Sequence, residues 1–251
     1  MVAAESQAVQ GQRWLAVSSS GTTLSVALAV GTQRYVAEMA PSRGSPRQIT
    51  PLVDAVLHQA RLTLADVDVW VVDTGPGTFT GLRQGLALLR GFAFALQKPL
   101  FGVSALDALL AQSEQPTALV VLPARTDTWY VGLRHQGQVT QVCLTEAELT
   151  NWWSAQQIAA QTQLGVVGPT VLPSPWQSLL APYPLVPLVT TLTAAHCLDV
   201  AQMALIPLAG PDPLLVVPHY LLASEPEQAR GEIPQVVLPA DQRVPLRLSP
   251  T

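Results

Sequence analysis

The sequence predicts an α/β fold of two similar lobes, each a mixed sheet covered by helices, and three observations carry that prediction. Three short apolar runs near the start, residues 14–17, 24–30 and 34–40, are separated by a Ser/Gly/Thr turn at 18–23 and by Gly31, which is the pattern of an antiparallel meander. Helix-period and strand-period segments alternate after it, the order of a sheet layered with helices. From Ala118 the strand patterns recur, so the second half repeats what the first began.

The length of 251 residues lies between one and two typical domains, and with 49% hydrophobic and 12% charged residues the chain belongs with folded proteins at their apolar end. The formal charge is −4, and no Lys or Arg occurs between Arg134 and Arg230, so the second half offers no cationic surface to a phosphate backbone. Cys143 and Cys197 are too few and too far apart for a disulfide scaffold and are expected to be buried and reduced. The first thirteen residues show no signal-peptide pattern. Residues 149–198 lack Asp, Glu, Lys and Arg, yet Pro169, Pro173, Pro175, Pro182, Pro184 and Pro187 forbid a spanning helix. A cytoplasmic protein with no membrane contact is the expectation.

Along the chain, Thr50 with Pro51 predicts the start of a helix on which Leu52, Val53, Val56, Leu57 and Ala60 share one arc while Asp54, His58 and Arg61 face away. Residues 69–72 read as a buried strand, 75–81 as a turn, 81–97 as a long helix stopped by Pro99, and 100–103 as the next strand. Ser104 is placed to cap a helix over 105–111. Segments 118–122, 128–134 and 139–144 read as strands, and Thr145 with Glu148 forms a capping box for a helix through Trp153. Thr193 opens a last helix to about Met203, after which little regular structure is legible. The lobes are expected at 14–112 and 113–223, with tails at 1–13 and 224–251.

The most specific stretch is Gly75-Pro76-Gly77-Thr78-Phe79-Thr80-Gly81-Leu82-Arg83, followed by Gly85 and Gly91. Glycine permits close backbone approach and positive φ, Pro76 stiffens the turn, Thr78 or Thr80 is suited to capping exposed amides, and Phe79 to plugging the core beneath. Such a helix start is suited to an anion, or else is a tightly capped turn without a ligand. It is neither a Walker A loop nor a GxGxxG motif. On the helix that follows, Leu82, Leu86, Leu89, Ala93 and Leu96 make one apolar face, and Gly85, Leu88, Phe92 and Ala95 an adjoining one. A surface helix needs an apolar stripe only about 100° wide, so the excess predicts burial on two sides, against its own sheet and against a second lobe or another chain.

These residues resemble the TsaB (YeaZ) family, whose members carry a GPGSFTGLR-like loop, a helix of small and apolar residues and a PL-x-GVS-x-L-x-AL continuation. Here the continuation is Pro99-Leu100-Phe101-Gly102-Val103-Ser104-Ala105-Leu106-Asp107-Ala108-Leu109, and the match runs almost without gaps over residues 51–111, with weaker similarity at Ala124-Arg125 and Trp129-Tyr130. The resemblance implies an actin-like, RNase H-like (ASKHA) fold. It also implies a non-catalytic role as companion of TsaD, which transfers a threonylcarbamoyl group to a tRNA adenosine with help from the ATPase subunit TsaE. The heterodimer would be built from helices 51–61 and 81–97, with Leu52, Val53, Val56, Leu57, Leu82, Gly85, Leu86, Leu88, Leu89 and Phe92 as partner-facing residues. A homodimer through the same helices when TsaD is absent is a further alternative that the sequence does not separate from the heterodimer. The sequence departs from the family where Ser18 replaces the acid of an LAIDTST-like opening, where Ser45-Pro46-Arg47 replaces an HSE-like segment, and where Tyr220-Leu221-Leu222 replaces YLR. The first of these weakens any case for nucleotide binding.

Catalytic sets are not legible. His58, His135, His196 and His219 are scattered without an HxxxH pair, no GxSxG elbow occurs, and Asp66, Asp68, Asp73 and Asp107 do not form a paired-carboxylate pattern. No metal or cofactor is expected. Arg43, Arg47, Arg61, Arg83, Arg90 and Lys98 give the first lobe most of its basic charge, either as a solvated face or as a surface for tRNA once a complex forms. The six tryptophans do not interleave with Lys or Arg and read as core and interface. The reading set against the companion role is a stand-alone ASKHA phosphotransferase or hydrolase that uses the Gly75 to Gly81 loop on phosphate.

Overall fold

Strands β1 (Arg13–Ser18), β2 (Leu24–Val30) and β3 (Gln33–Met39) form the antiparallel meander, and β4 (Val69–Asp73) and β5 (Leu100–Val103) extend it in the order β3-β2-β1-β4-β5. β4 lies parallel to β1, and β5 parallel to β4. The second sheet holds β6 (Thr117–Arg125), β7 (Thr128–His135), β8 (Gln138–Thr145), β9 (Leu164–Gly168) and β10 (Leu185–Val189) in the order β10-β9-β6-β7-β8. Meander, parallel neighbour and outer parallel strand follow one another in both sheets, so the recurrence read from the sequence is one winding used twice. The fold is α/β and actin-like, RNase H-like. The computed structural model describes residues 11–40, 48–168, 172–203, 213, 216–219 and 221. Arg43, Ser45-Pro46-Arg47, Tyr220, Leu222 and the expected C-terminal tail lie outside the described residues, as does the expected N-terminal tail up to residue 10.

Burial explains the strand sequences. β1 and β4 are apolar on both faces because both are covered, whereas the edge strand β3 exposes Gln33, Arg34, Val36, Glu38 and Met39. Helices α1 (Ile49–Ala60) and α2 (Phe79–Leu96) cover the first sheet. α1 begins two residues before Pro51, with Gln48 rather than Thr50 at the cap position. Pro51 is tolerated because the amides of a first turn have no partner within the helix. α2 begins at Phe79, earlier than the glycine at which the sequence placed its start, and ends at Gln97 in the left-handed conformation with Lys98 N–H on Ala93 O at 2.9 Å.

The short helix α3 (Ala105–Leu110) follows Ser104. α4 (Glu146–Ala155) starts at the expected capping box, where Glu148 Oε2 accepts from Thr145 N at 2.8 Å and from Thr145 Oγ1 at 2.7 Å. α5 (Ser174–Leu180) packs with α4 on the second sheet, in a core where Trp129 meets Trp176 edge-on at 6.2 Å and Trp153 meets Tyr183 at 5.5 Å.

The last helix, α6 (Ala194–Met203), departs from expectation. It packs against β1, β2 and β4, burying Ala194, Cys197, Leu198, Val200 and Ala201, and its first amide donates to the buried Ser25 Oγ at 2.7 Å. Of the described residues, 11–108 and 192–219 therefore form one unit, and 109–191 with Leu221 the other. The range 113–223 is not a single lobe, because the apolar face of α6 finds its complement on the first sheet.

Candidate functional site

Parallel strands β1 and β4 end side by side at Ser18 and Asp73, the edge of an open α/β sheet at which ligands commonly bind. Asp73 is 1% exposed, and its Oδ2 accepts from Ser19 N at 2.6 Å and from Ser20 N at 3.2 Å. Asp73 thus fixes, from the neighbouring strand, the turn into β2. Ser18 Oγ, Ser20 Oγ and Asp73 Oδ1 are buried and bond to no other described residue.

The glycine-rich loop lies directly on this turn. Thr78 N–H donates to Ser20 O at 2.8 Å and Ser19 Oγ donates to Gly81 O at 2.8 Å. A Cβ on Gly77 would strike Ser20 O, one on Gly81 would strike Ser19 O, and one on Gly85 would strike Ser19 Oγ. Gly75, at φ +88°, has Leu82 Cδ1 2.8 Å from where a Cβ would sit, and its carbonyl accepts from Ala105 N at 2.7 Å. These glycines serve close contact between loop and turn. Thr78 occupies the α2 cap position without a side-chain bond to the helix, and Thr80 is exposed. Pro76 is buried, while Phe79 is only half-buried and stacks under the Arg83 guanidinium at 5.8 Å, so it does not plug the core.

The residues expected to face a partner lie mostly inside. Leu52, Val53, Val56 and Leu57 on α1, and Leu82, Gly85, Leu86 and Leu89 on α2, are all buried. Leu88 and Phe92 are half-buried against the same core, Phe92 meeting Trp70 at 5.5 Å. A large sheet-facing arc is needed here because α2 packs on β1, β4 and β5. The outer face of α2 carries Ala87, Gly91, Phe94 and Ala95, all exposed, with Phe94 at 64%. No described atom lies within 4 Å of where a Cβ on Gly91 would sit. The outer face of α1, with Pro51, Asp54, His58 and Gln59, is mainly polar.

Charge on the first unit gathers at the opposite end of β1 and β4. Arg13 Nε donates to Asp68 Oδ2 at 2.9 Å and Lys98 Nζ stands 3.7 Å from Asp68 Oδ1. Burial pushes the Asp68 carboxyl up, but the hydrogen bonds and charge of Arg13, with Lys98, outweigh it and hold the group below the usual carboxylate range. Burial drives the Cys197 thiol far above its ordinary value, with Asp73 and Asp199 adding to the shift. Among the described residues no three His, Cys, Asp or Glu side chains converge on a metal position, and no helix is long and apolar enough to cross a membrane.

Residues 38–168 match a family model described as TsaD: tRNA N6-adenosine threonylcarbamoyltransferase. An uncharacterised protein of Mycobacterium tuberculosis is 40% identical over 89 residues, 36% of this chain and 42% of that protein. The tRNA threonylcarbamoyladenosine biosynthesis protein TsaB is 34% identical over 102 residues in Haemophilus influenzae, covering 40% of this chain and 43% of that protein. Its counterpart in Escherichia coli is 35% identical over 95 residues, covering 38% and 41%. The chain therefore spans less than half the length of these curated relatives. Among solved structures, YeaZ from Pseudomonas aeruginosa superposes with a TM-score of 0.64 at 24% identity, over 84% of this chain and 100% of that one, which is a likeness of fold.

Proposed function

The chain belongs to the family described as TsaD, tRNA N6-adenosine threonylcarbamoyltransferase, among the relatives named TsaB and YeaZ, and from that membership we propose a non-catalytic subunit of the complex that makes threonylcarbamoyladenosine on tRNA. It pairs with the catalytic subunit TsaD and holds it competent, in the cytoplasm. TsaE and tRNA engage through the complex, and the same surface serves a homodimer when TsaD is absent.

The observation that carries this reading is the outer face of α2. Ala87, Gly91 and Ala95 recur every four residues as a strip of small side chains, flanked by Leu88, Phe92 and the exposed Phe94. Small residues let a second helix approach closely, and an exposed aromatic beside them is a typical interface anchor. The closed packing of the glycine loop on Ser19 and Ser20 gives further support, since the Thr78 amide is already engaged within the chain.

The test is co-expression with TsaD of the same organism, read by size exclusion with light scattering, for the native chain and for Phe94→Glu and Gly91→Leu. A 1:1 complex is expected, weakened at least tenfold in both variants while each variant keeps its own thermal midpoint within about 3 °C. A native chain that stays alone overturns the reading.

A further inference from the structure

A cavity of about 580 Å³ opens at one end of β6, β7 and β8, wholly within the second unit, and its size is that of a small-metabolite site. The strand register explains its lining. Thr128 pairs with Thr145 across β7 and β8, and Tyr130 with Cys143 one rung further in, so these side chains share the sheet face opposite Trp129 and Leu144. On β6 the register runs Leu122 to Tyr130 and Pro123 to Trp129, then slips, so that Arg125 rather than Ala124 stands opposite Thr128. That bulge brings the guanidinium beside the threonines, the kind of re-aiming for which β-bulges recur at binding sites.

The cavity presents both signs of charge. Arg125, Thr126, Thr128, Cys143, Thr145 and Glu148 line it. Glu148 sits at the start of α4, and both of its capping bonds fall on Oε2, leaving Oε1 as a further acceptor. These bonds hold the Glu148 carboxyl below its ordinary range, so it is ionised at neutral pH. Burial lifts the Cys143 thiol to about 11, a shift that the Glu148 charge increases and the Arg125 charge opposes, which puts both charges near that sulfur. The thiol is therefore a neutral, non-nucleophilic part of the lining.

We propose that this cavity binds a small zwitterion of the amino-acid class, with the ligand carboxylate on Arg125 and the Thr126 hydroxyl and the ligand ammonium on Glu148. A guanidinium pairs well with a carboxylate in a forked geometry, and threonine hydroxyls add bonds to either end. The site is independent of the outer face of α2, so it stands whether or not this chain pairs with TsaD.

The test is calorimetric titration of the full chain with L-serine and L-aspartate, against 3-hydroxypropanoate and succinate, which keep the carboxylates and lack the amine. The amino compounds are expected to bind at least tenfold more tightly than their counterparts. Arg125→Gln should remove binding of all four. Glu148→Gln, whose amide oxygen preserves the α4 cap, should erase the tenfold preference while the thermal midpoint is held. Equal binding of amine and non-amine compounds to the native chain overturns the proposal. So does the lack of any saturable heat at millimolar concentrations, or a preference that survives Glu148→Gln.

Discussion

Asp73 holds two turn amides from a strand 54 positions away from Ser19. Asp73→Ala leaves the buried Ser20 amide and the part-buried Ser19 amide unpaired and is expected to cost about 2–4 kcal/mol in equilibrium denaturation. Asp73→Asn, which keeps one acceptor oxygen, should cost less than half as much. Substituting Ser18 by Ala should be close to neutral, since its hydroxyl makes no bond to another described residue. This role of Asp73 was not legible in the sequence. That Asp73 holds this turn depends on pairing between distant segments, so in the sequence it stood only as one of four carboxylates without a paired pattern. Cys197 is buried as expected, whereas Cys143 is only half-buried. With Cys143 at about 11 and Cys197 higher still, the thiolate fraction at pH 8 is on the order of one in a thousand or less. Iodoacetamide at pH 8 should therefore label the buried Cys197 only on unfolding and the half-buried Cys143 only slowly, and rapid labelling of the native protein at either would contradict the raised pKa values.

At the scale of elements, two of the three glycines in α2 have opposite meanings. Gly85 lies against Ser19, so Gly85→Ala forces the turn to move and should destabilise the first unit. Gly91 faces open space, so Gly91→Ala should stabilise the isolated chain by up to about 1 kcal/mol through helix propensity, read as a rise in thermal midpoint. The period of α2 revealed an excess of apolar residues but not its direction. A helical wheel fixes the angles between residues, whereas the azimuth against the sheet is set by packing. The leucines were therefore assigned to a partner although they face β1, β4 and β5, and the small-residue strip went unremarked. The ion cluster of β1 and β4 belongs to this scale too. Because Asp68 titrates below its unfolded value, its contribution is present above about pH 4 and is lost as pH falls through the lower folded value. Asp68→Asn should flatten the acid limb of a stability–pH profile below about pH 4 and lower stability at pH 7, with the loss reduced by high salt because Asp68 is partly exposed.

For the molecule as a whole, two five-stranded sheets share one winding, and this much was readable in advance from the recurrence of strand patterns after Ala118. The return of α6 to the first sheet was not, because its amphipathic stripe fits either sheet equally well when only the sequence is considered. Leu198→Asp, on the face of α6 that meets β1, β2 and β4, is expected to destabilise the first unit by about 3–5 kcal/mol, with the second core largely retained. Near-ultraviolet signals from Trp129, Trp153 and Trp176 should then outlast those from Trp14 and Trp70 on denaturant titration. The placement of α6 also sets an order of events during synthesis. The first unit is laid down through residue 108 with α1 and α2 in place, yet α6, which also packs on β1, β2 and β4, is not complete until Met203. At about 5–20 residues per second, the ribosome leaves an apolar sheet face bare for roughly 5–20 s, long enough for a chaperone to be its first occupant.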